Sequence, residues 1–585
     1  MAEPSNAGLT GPGKVVVVLV ALALAGGGFY LMRDRLLPEG KQTGVVDMSK
    51  MQEQMGKVGA KDAGGPEAMD PTGITTVSEY EYVPGEKLPP VKGASDYKWN
   101  KADPTVVFPI NVWIGWLPIV AANGGFDPNT ESIFYKKHGF KVQLQLIDDP
   151  VAARDAYATG QSHILWGTLD MIALFAPELM KDSRTAPRVF QQIDWSSGGD
   201  GIVVREKIKS VEDLKGKTIV YAQNSPSQYY FSTMLLFAGI QPIEVTHKYT
   251  NSAFEASAAF VADRDIDACV SWAPDIYNIP EKVPGAKLLS TTAEAAKVIT
   301  DVWAARADFA RDHPEIIKGL VAGTFEAMAK LDKDAAFQKK ACQWLAKGYG
   351  FSLEEVEGML QDAHSTNFAE NKQFFLNANN PTNFERTWDR INFVYKELGK
   401  IDKPVPFDQV MDFSVIKALD KEKAFADQTD TYTAKFAPTD WDRTAEAPLL
   451  KHVIRIHFYP NSPDLFHPAD DEFGNPVKGQ LYDPSVNQTL ERVAQLAGQF
   501  DRAVVVITGH TDDSMRDRAP YDQVKRLSEE RAEAVKQALI KRYKFEEGKF
   551  RAEGKAWDVP ANPNDPHNHA QNRRVEIAVY PLEGE

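Results

Sequence analysis

Hydrophobic and polar residues alternate in a strand–helix rhythm through the middle of the chain. Short apolar runs such as 106–113 and 142–147 are followed by stretches of helical spacing such as 150–159. From about residue 301 to residue 419 the helical spacing dominates. Strands that alternate with helices are typical of α/β units with largely parallel sheets. We therefore predict an α/β region over residues 105–420.

The last part of the chain, residues 448–585, shows a second pattern. Its predicted order is strand 452–459, helix 485–500, strand 503–508, helix 525–543, and strands 550–557 and 573–580. Arg531 lies four residues after Leu527 and four before Val535, so it falls on the apolar stripe of the second helix. A guanidinium there needs an anionic partner, because burying an unpaired charge is costly.

Residues 15–32 carry no charge. As a helix they would be about 27 Å long, which is enough to span a bilayer core. We interpret residues 1–37 as a cytoplasmic tip and transmembrane anchor, and a signal peptide cleaved near residue 25 as the alternative. Residues 38–104 and 421–447 have weak periodicity, so we predict a flexible tether and a polar linker there.

Composition excludes several function classes. The chain has 585 residues and a formal net charge of −15, which argues against nucleic acid as a partner. Its two cysteines form no CxxC motif, so neither a disulfide framework nor a cysteine zinc site is implied. His567 and His569 are too few ligands for a metal site. With no recognisable catalytic or phosphate-binding motif, we expect no enzyme activity, no metal and no cofactor.

The segment around the second helix carries a specific signature. Thr508-Gly509-His510-Thr511-Asp512 ends an apolar strand, Leu527-Ser528 precedes Arg531-Ala532, and Asn572-Arg573-Arg574-Val575-Glu576 follows later. A carboxylate at Asp512 and a guanidinium at Arg531 suit a zwitterion with an ammonium and a carboxylate. The alternative is an internal salt bridge between these two residues.

These motifs resemble the OmpA-like peptidoglycan-binding domain over roughly residues 449–581. The resemblance implies that Asp512 and Arg531 hold the diaminopimelate of a peptidoglycan stem peptide. By the same resemblance the site includes Thr511, Asn572, Arg573 and Arg574. Two positions depart from the family pattern, Val524 in place of Asn and Tyr459 in place of Asp.

Three pieces of the middle region carry a second resemblance. They are Gly115-Trp116-Leu117-Pro118, Asp213-Leu214-Lys215-Gly216-Lys217-Thr218 and Ala268-Cys269-Val270-Ser271-Trp272-Ala273-Pro274. Together they resemble the periplasmic solute-binding proteins of ABC importers, in the group for nitrate, taurine and thiamine precursor. The resemblance implies two α/β lobes joined by a hinge, a small solute between them and an ABC permease as a possible partner.

Ligands of open α/β sheets bind beyond the carboxyl ends of the strands. The candidate residues at those ends are Trp116, Trp166, Thr168, Asp170, Asp200, Ser225, Ser227, Gln228, Trp272 and Asp275. A helix start at Ser225-Pro226 favours an anion, whereas Asp170, Asp200 and Asp275 favour a cation. The sequence leaves the charge of the solute open, and each residue could instead cap a helix or belong to the core.

The leading hypothesis is a single-pass protein of the inner membrane with its bulk in the periplasm. It would capture a small solute for an ABC permease while attached to peptidoglycan. One alternative is an envelope sensor or structural linker between wall and membrane that uses the binding fold without transport. Another is an enzyme on the fold of the thiamine-precursor group.

Overall fold

The computed structural model describes residues 74–147, 149–432, 448–459, 461–471, 473 and 475–581. The predicted anchor at 15–32 lies outside these residues. Across the described ranges, none of the helices combines the length and the apolarity that a membrane crossing requires. All of the described residues belong to one compact unit, 52–585.

The first lobe is built on two sheets. Its strands are β1 (Thr105–Ile110), β2 (Lys141–Leu146), β3 (Ile164–Thr168), β4 (Pro187–Ser196), β10 (Thr300–Arg306) and β11 (Ala363–Ser365). β1 and β2 pair in parallel, and the other four form a sheet in the order β11-β4-β10-β3. β3 and β10 are buried along their whole length, which explains their continuous apolar runs.

The second lobe is one five-stranded sheet in the order β7-β6-β8-β5-β9. Its strands are β5 (Asp200–Arg205), β6 (Thr218–Ala222), β7 (Thr246–Thr250), β8 (Ala268–Trp272) and β9 (Ala286–Thr291). The chain crosses between the lobes twice, from β4 to β5 and from β9 to β10. We call residues 197–199 and 292–299 the crossing segments.

Helices cover both lobes. They are α1 (Leu117–Asn123), α2 (Ile133–His138), α3 (Pro150–Ala158), α4 (Leu169–Leu179), α5 (Pro226–Phe237), α6 (Ala253–Ala262), α7 (Asp275–Lys282), α8 (Ala307–Asp312), α9 (Pro314–Lys333), α10 (Ala335–Tyr349), α11 (Leu353–Gly358), α12 (Phe368–Leu376), α13 (Phe384–Glu397) and α14 (Ser414–Lys421). Helices α8 to α14 belong to the first lobe, and α13 also packs on α5 of the second. The helices observed between residues 307 and 421 thus agree with those that the hydrophobic spacing predicts.

The C-terminal domain is an α+β layer. Its elements are β12 (Leu450–Ile454), β13 (Pro468–Asp470), β14 (Pro476–Leu481), α15 (Val486–Gln499), β15 (Ala503–Gly509), α16 (Tyr521–Tyr543), β16 (Phe550–Gly554), α17 (His569–Asn572) and β17 (Val575–Pro581). The main sheet has the order β12-β17-β15-β16. A Cβ at Gly509 would lie 2.0 Å from the carbonyl oxygen of Ser528, so the glycine lets α16 approach the end of β15.

Residues 74–104, which the sequence placed in a flexible tether, lie extended along both lobes; we call them the N-terminal strap. Val83 donates its N–H to the carbonyl of Tyr249 on β7, at 2.9 Å. Farther along, the guanidinium of Arg306 donates to the carbonyl of Ser95, at 2.8 Å. These bonds hold the strap although it has almost no regular secondary structure, and for that reason hydrophobic periodicity did not reveal it.

The start of the predicted linker 421–447 also packs on the first lobe. Tyr432 is buried and stacks on His364 with ring centroids 3.9 Å apart. The carboxylate of Glu370 accepts hydrogen bonds from the N–H groups of Thr431 and Tyr432. Residues 433–447 of this linker lie outside the described ranges.

The strap should contribute measurably to stability. Trp99 packs against His163, Phe309 and His313. Because Trp99 is only half-buried, we expect Trp99→Ala to cost about 1–3 kcal/mol in the free energy of unfolding and to increase proteolysis within residues 84–104. Lys98→Ala, whose side chain is exposed, is the matched control. Equal stability and protease resistance of both variants would show that the strap is not held in place.

Candidate functional site

Five buried aspartates meet where the two lobes join. We call Asp170, Asp194, Asp200, Asp301 and Asp362 the acidic cluster; each is at most 5% exposed. Pairing of β4 with β10 sets Asp194 directly opposite Asp301, and β3 places Thr168 opposite Asp301 on the other side. Asp170 follows at the start of α4, and Asp200 begins β5 just after a crossing segment.

The partners of these carboxylates are neutral groups. The indole N–H of Trp113 donates to Asp194 at 2.9 Å, the hydroxyl of Ser196 to Asp200 at 2.7 Å, and that of Tyr395 to Asp170 at 2.7 Å. A Cβ at Gly115 would lie 1.5 Å from the Asp194 carboxylate, so this glycine makes room for it. Among the residues that the structure describes, none of the five carboxylates forms an ion pair with lysine or arginine.

Burial without a cationic partner favours the protonated carboxyl. Desolvation raises the pKa of Asp170 and Asp194 to about 6 and that of Asp200 and Asp362 to about 7. Desolvation and the charge of the neighbouring Asp194 raise the pKa of Asp301 well above its ordinary value. The cluster thus favours protonated carboxyls, and a positive group beside them would stabilise their ionised form.

Polar atoms near this junction also lack protein partners. The indole nitrogen of Trp166, two residues before Thr168 on β3, is buried and forms no hydrogen bond with the described residues. The same holds for the hydroxyl of Ser227, which is fully buried in the first turn of α5. Buried polar groups are nearly always hydrogen-bonded, so these atoms indicate space for a ligand or for water.

Other candidates from the sequence have structural partners. Trp116 is fully buried and donates to Asn111, and Trp272 packs edge-on against Phe254. Ser225 donates to the carbonyl of Ala222 and makes no cap bond to α5. The side chain of Gln228 accepts the N–H of Asn224 at 2.7 Å. Asp275 accepts the N–H and the hydroxyl of Thr76, so the strap occupies one of its oxygens.

A second charged site lies at the end of β15. Asp512 is buried, accepts the N–H of Ser514 at 2.9 Å and pairs with Arg573 at 2.5 Å. Burial raises the pKa of Asp512, but the bonds from Ser514 and Arg573 outweigh it and leave that pKa below its ordinary value. Asp512 is therefore ionised, and its salt bridge in this structure is with Arg573.

Arg531 has no carboxylate partner within the described part of the chain. Its guanidinium donates to the carbonyls of Ser462 and Tyr459 at 3.2 and 3.3 Å, and lies 5.0 Å from the ring of Phe458. Burial and then the nearby charge of Arg573 lower the pKa of Arg531. This guanidinium is thus placed to take the carboxylate of a ligand.

The remaining motif residues have structural roles. Thr511 donates its N–H to Ala556, and its buried hydroxyl has no described partner. The side chain of Asn572 bridges Ala561 and Pro566. Arg574 is buried in a two-point salt bridge with Glu576.

Several residues of both sites were missed from the sequence. Asp194 and Asp301 are far apart in the chain, and only the pairing of β4 with β10 brings them together. The available signal was a lone carboxylate inside an apolar strand. Asp513 and its neighbours His567 and His569 also went unnoticed as a group beside Asp512. In the described ranges, no set of three or more His, Cys, Asp or Glu residues has the arrangement of a metal site.

Two family models match separate segments of the chain. The model described as "NMT1/THI5 like" matches residues 130–334, and the one described as "OmpA family" matches residues 476–574. The chain joins an NMT1/THI5-like segment to an OmpA-family segment. Both resemblances found in the sequence are thereby confirmed.

Individual relatives match one segment each. The taurine-binding periplasmic protein of Escherichia coli is 29% identical over 201 residues, which are 34% of this chain and 59% of that protein. The outer membrane protein Omp38 of Acinetobacter baumannii is 34% identical over 91 residues, 15% of this chain and 24% of that one. The crystal structure of the aliphatic sulphonate binding protein SsuA from Escherichia coli is 18% identical, covers 52% of this chain and 91% of its own, and has a TM-score of 0.38. The chain thus spans less than two thirds of the length of the taurine-binding protein and of Omp38.

The acidic cluster should make the stability of the protein depend on pH. Its raised pKa values mean that the folded protein holds more protons than the unfolded chain between about pH 4 and 7. Stability from these groups is therefore present at low pH and lost as pH rises through 6 to 7. We expect the thermal midpoint to fall by about 5 °C between pH 5.5 and 8.

The variant Asp200→Asn should flatten this slope, because an amide does not titrate. Asp427→Asn, at an exposed position shortly after α14, should keep the parent slope. Thermal unfolding followed by circular dichroism at several pH values measures both. A parent protein whose stability rises over this range would contradict the assignment of raised pKa values.

Proposed function

We propose that the chain is a solute-binding protein of the cell envelope that takes a positively charged small solute between its lobes and attaches to peptidoglycan through its OmpA-family segment. The acidic cluster supports the solute half most directly. Five buried carboxylates without a basic partner favour an ammonium or a comparable cation. The unpartnered polar atoms of Trp166 and Ser227 supply hydrogen bonds for the rest of such a ligand.

The relatives named above do not decide the charge of the solute. Taurine carries both an ammonium and a sulfonate, whereas an aliphatic sulfonate has only the anionic group. In this chain the cluster would hold the ammonium, and an anionic end would need the first turn of α5, where Ser227 lies. A cation or a zwitterion fits this arrangement, and a simple anion does not.

The wall half of the proposal depends on Arg531 and Asp512. The guanidinium of Arg531 would take the carboxylate at the end of the diaminopimelate side chain, and Asp512 its ammonium. Arg573, whose side chain is more than half exposed, is free to turn away from Asp512 when the ligand arrives. With an anchor at residues 15–32, the protein would be held at the inner membrane as well as at the wall.

The alternative function is a sensor or structural linker between membrane and wall that does not deliver a solute. Attachment at two points restricts diffusion to a permease, and this favours the alternative. The two functions differ in whether the lobes bind a small molecule at all.

A thermal-shift series distinguishes these functions. The probes are alkylamines, quaternary ammonium ions and taurine, with nitrate and an alkanesulfonate as anions. A ligand at one hundred times its Kd stabilises by about 2.7 kcal/mol, which corresponds to a shift on the order of 5 °C. We expect a shift with an amine, and its loss in Asp200→Asn and Asp170→Asn. A shift only with the anions would refute the charge assignment, and the absence of any shift would favour the linker.

A co-sedimentation assay with purified diaminopimelate-type sacculi tests the wall half. Arg531→Ala and Asp512→Ala should each weaken retention about 10- to 100-fold, because each removes a charge-assisted hydrogen bond worth about 1.5–3 kcal/mol. Arg526→Ala, an exposed arginine on the same helix, should bind as the parent does. Unchanged retention of Arg531→Ala would refute the proposed site.

A further inference from the structure

The C-terminal domain contacts both lobes. On the second lobe, Val211 donates its N–H to the carbonyl of Leu449 at 3.2 Å, and His452 bonds to the carbonyl of Phe237 at 2.8 Å. On the first lobe, Arg386 of α13 pairs with Glu491 of α15 at 2.5 Å. One folded domain is therefore fixed to two bodies that a hinge would let move.

The turn from α15 to β15 contacts the second crossing segment, residues 292–299. Lys297, in the second crossing, donates its N–H to the carbonyl of Gln499 at 3.0 Å, and its ammonium pairs with Asp501 at 2.9 Å. Burial lowers the pKa of Lys297, but Asp501 outweighs this effect and leaves the pKa above its ordinary value. Phe500, which lies between Gln499 and Asp501 in the chain, is fully buried and packs edge-on against Phe237.

This contact is tight and desolvated. The side chains of Lys297 and Asp501 are only 16% and 10% exposed. Arg390 of α13 lies with its guanidinium 4.4 Å from the ring of Phe237, so residues of both lobes and of the C-terminal domain meet there. Separating a buried ion pair is costly, because each charge is left without its partner.

The geometry opposes hinge opening while the domain is docked. Rotation of one lobe against the other would change the distance between Arg386 and Phe237, and a rigid domain bonded to both cannot follow. The N-terminal strap also contacts both lobes, but as an extended chain it can change its angle. The C-terminal domain therefore holds the relative position of the lobes together with the direct packing of α13 on α5.

We propose that the C-terminal domain locks the two lobes in the arrangement of this structure, in which the acidic cluster is buried, so that exchange of a solute requires this domain to undock. The role of this lock in solute exchange rests on the proposed function. By linkage, whatever favours undocking favours opening, and a solute that stabilises closure favours docking. Asp512 lies at the far end of β15 from the docked turn, roughly 20 Å away, so peptidoglycan can bind without displacing the lock.

Distances between spin labels on the two lobes test the lock in the full-length chain. Ile243→Cys on the second lobe and Glu131→Cys on the first provide the labelling sites, since both residues are exposed. The native Cys269 and Cys342 are buried and should remain unlabelled. Pulsed electron resonance should then give one narrow distance distribution for the parent.

The lock is weakened in Phe500→Ala and in Asp501→Asn. We expect each variant to show a second, longer distance that accounts for at least a third of the molecules. Asp522→Asn, an exposed residue of α16 away from the contact, should match the parent. A narrow, unchanged distribution in both lock variants would overturn the proposal.

Two further experiments distinguish a weakened lock from a loss of folding. Retention on sacculi shows whether the C-terminal domain of each variant is still folded. If Phe500→Ala does not fold, Arg386→Gln, which removes the ion pair with Glu491 and the bonds of Arg386 to the carbonyls of Ala378 and Asn380, should broaden the distribution in the same direction. The label experiment uses no solute, so it stands or falls independently of the cation proposal.

Discussion

The desolvation of five carboxylates at the junction of the lobes is the constraint on which this structure depends. Charged groups are rarely buried without a partner, because their transfer out of water is costly. Here neutral donors such as Trp113 and Tyr395 hold individual oxygens, and the facing Asp194 raises the pKa of Asp301 beyond the effect of burial. An arrangement that costs stability when empty is explained if a cation completes it.

The sequence predicted the fold better than it predicted the sites. Periodicity found β15 and most of α16, because each buries one continuous apolar surface. It could not find the strap, whose bonds run through backbone carbonyls such as that of Ser95. Nor could it find the acidic cluster, because the contact between Asp194 and Asp301 depends on strand register and not on local spacing.

At the end of β15 the motif predicted a pair of charged residues, Asp512 and Arg531, and the structure gives each of them other partners. Spacing alone allowed a salt bridge between Asp512 and Arg531. In the structure Asp512 instead forms a salt bridge with Arg573. Arg531 donates hydrogen bonds to the backbone carbonyls of Tyr459 and Ser462. The difference arises because Arg573 comes from the loop before β17, which the fold brings beside the end of β15. Under the proposed function, the domain would dock on both lobes through the turn before β15 and bind the wall at the other end of that strand.

The most direct measurement of the central claim is a carboxyl-carbon NMR titration of the aspartates without any solute. Desolvation predicts aspartate side chains that titrate near pH 6 to 7, and the resonances with the highest pKa values should disappear in Asp200→Asn and Asp362→Asn. If every aspartate titrates near or below pH 4, the carboxylates are not desolvated together, and the cluster gives no reason to expect a cationic solute.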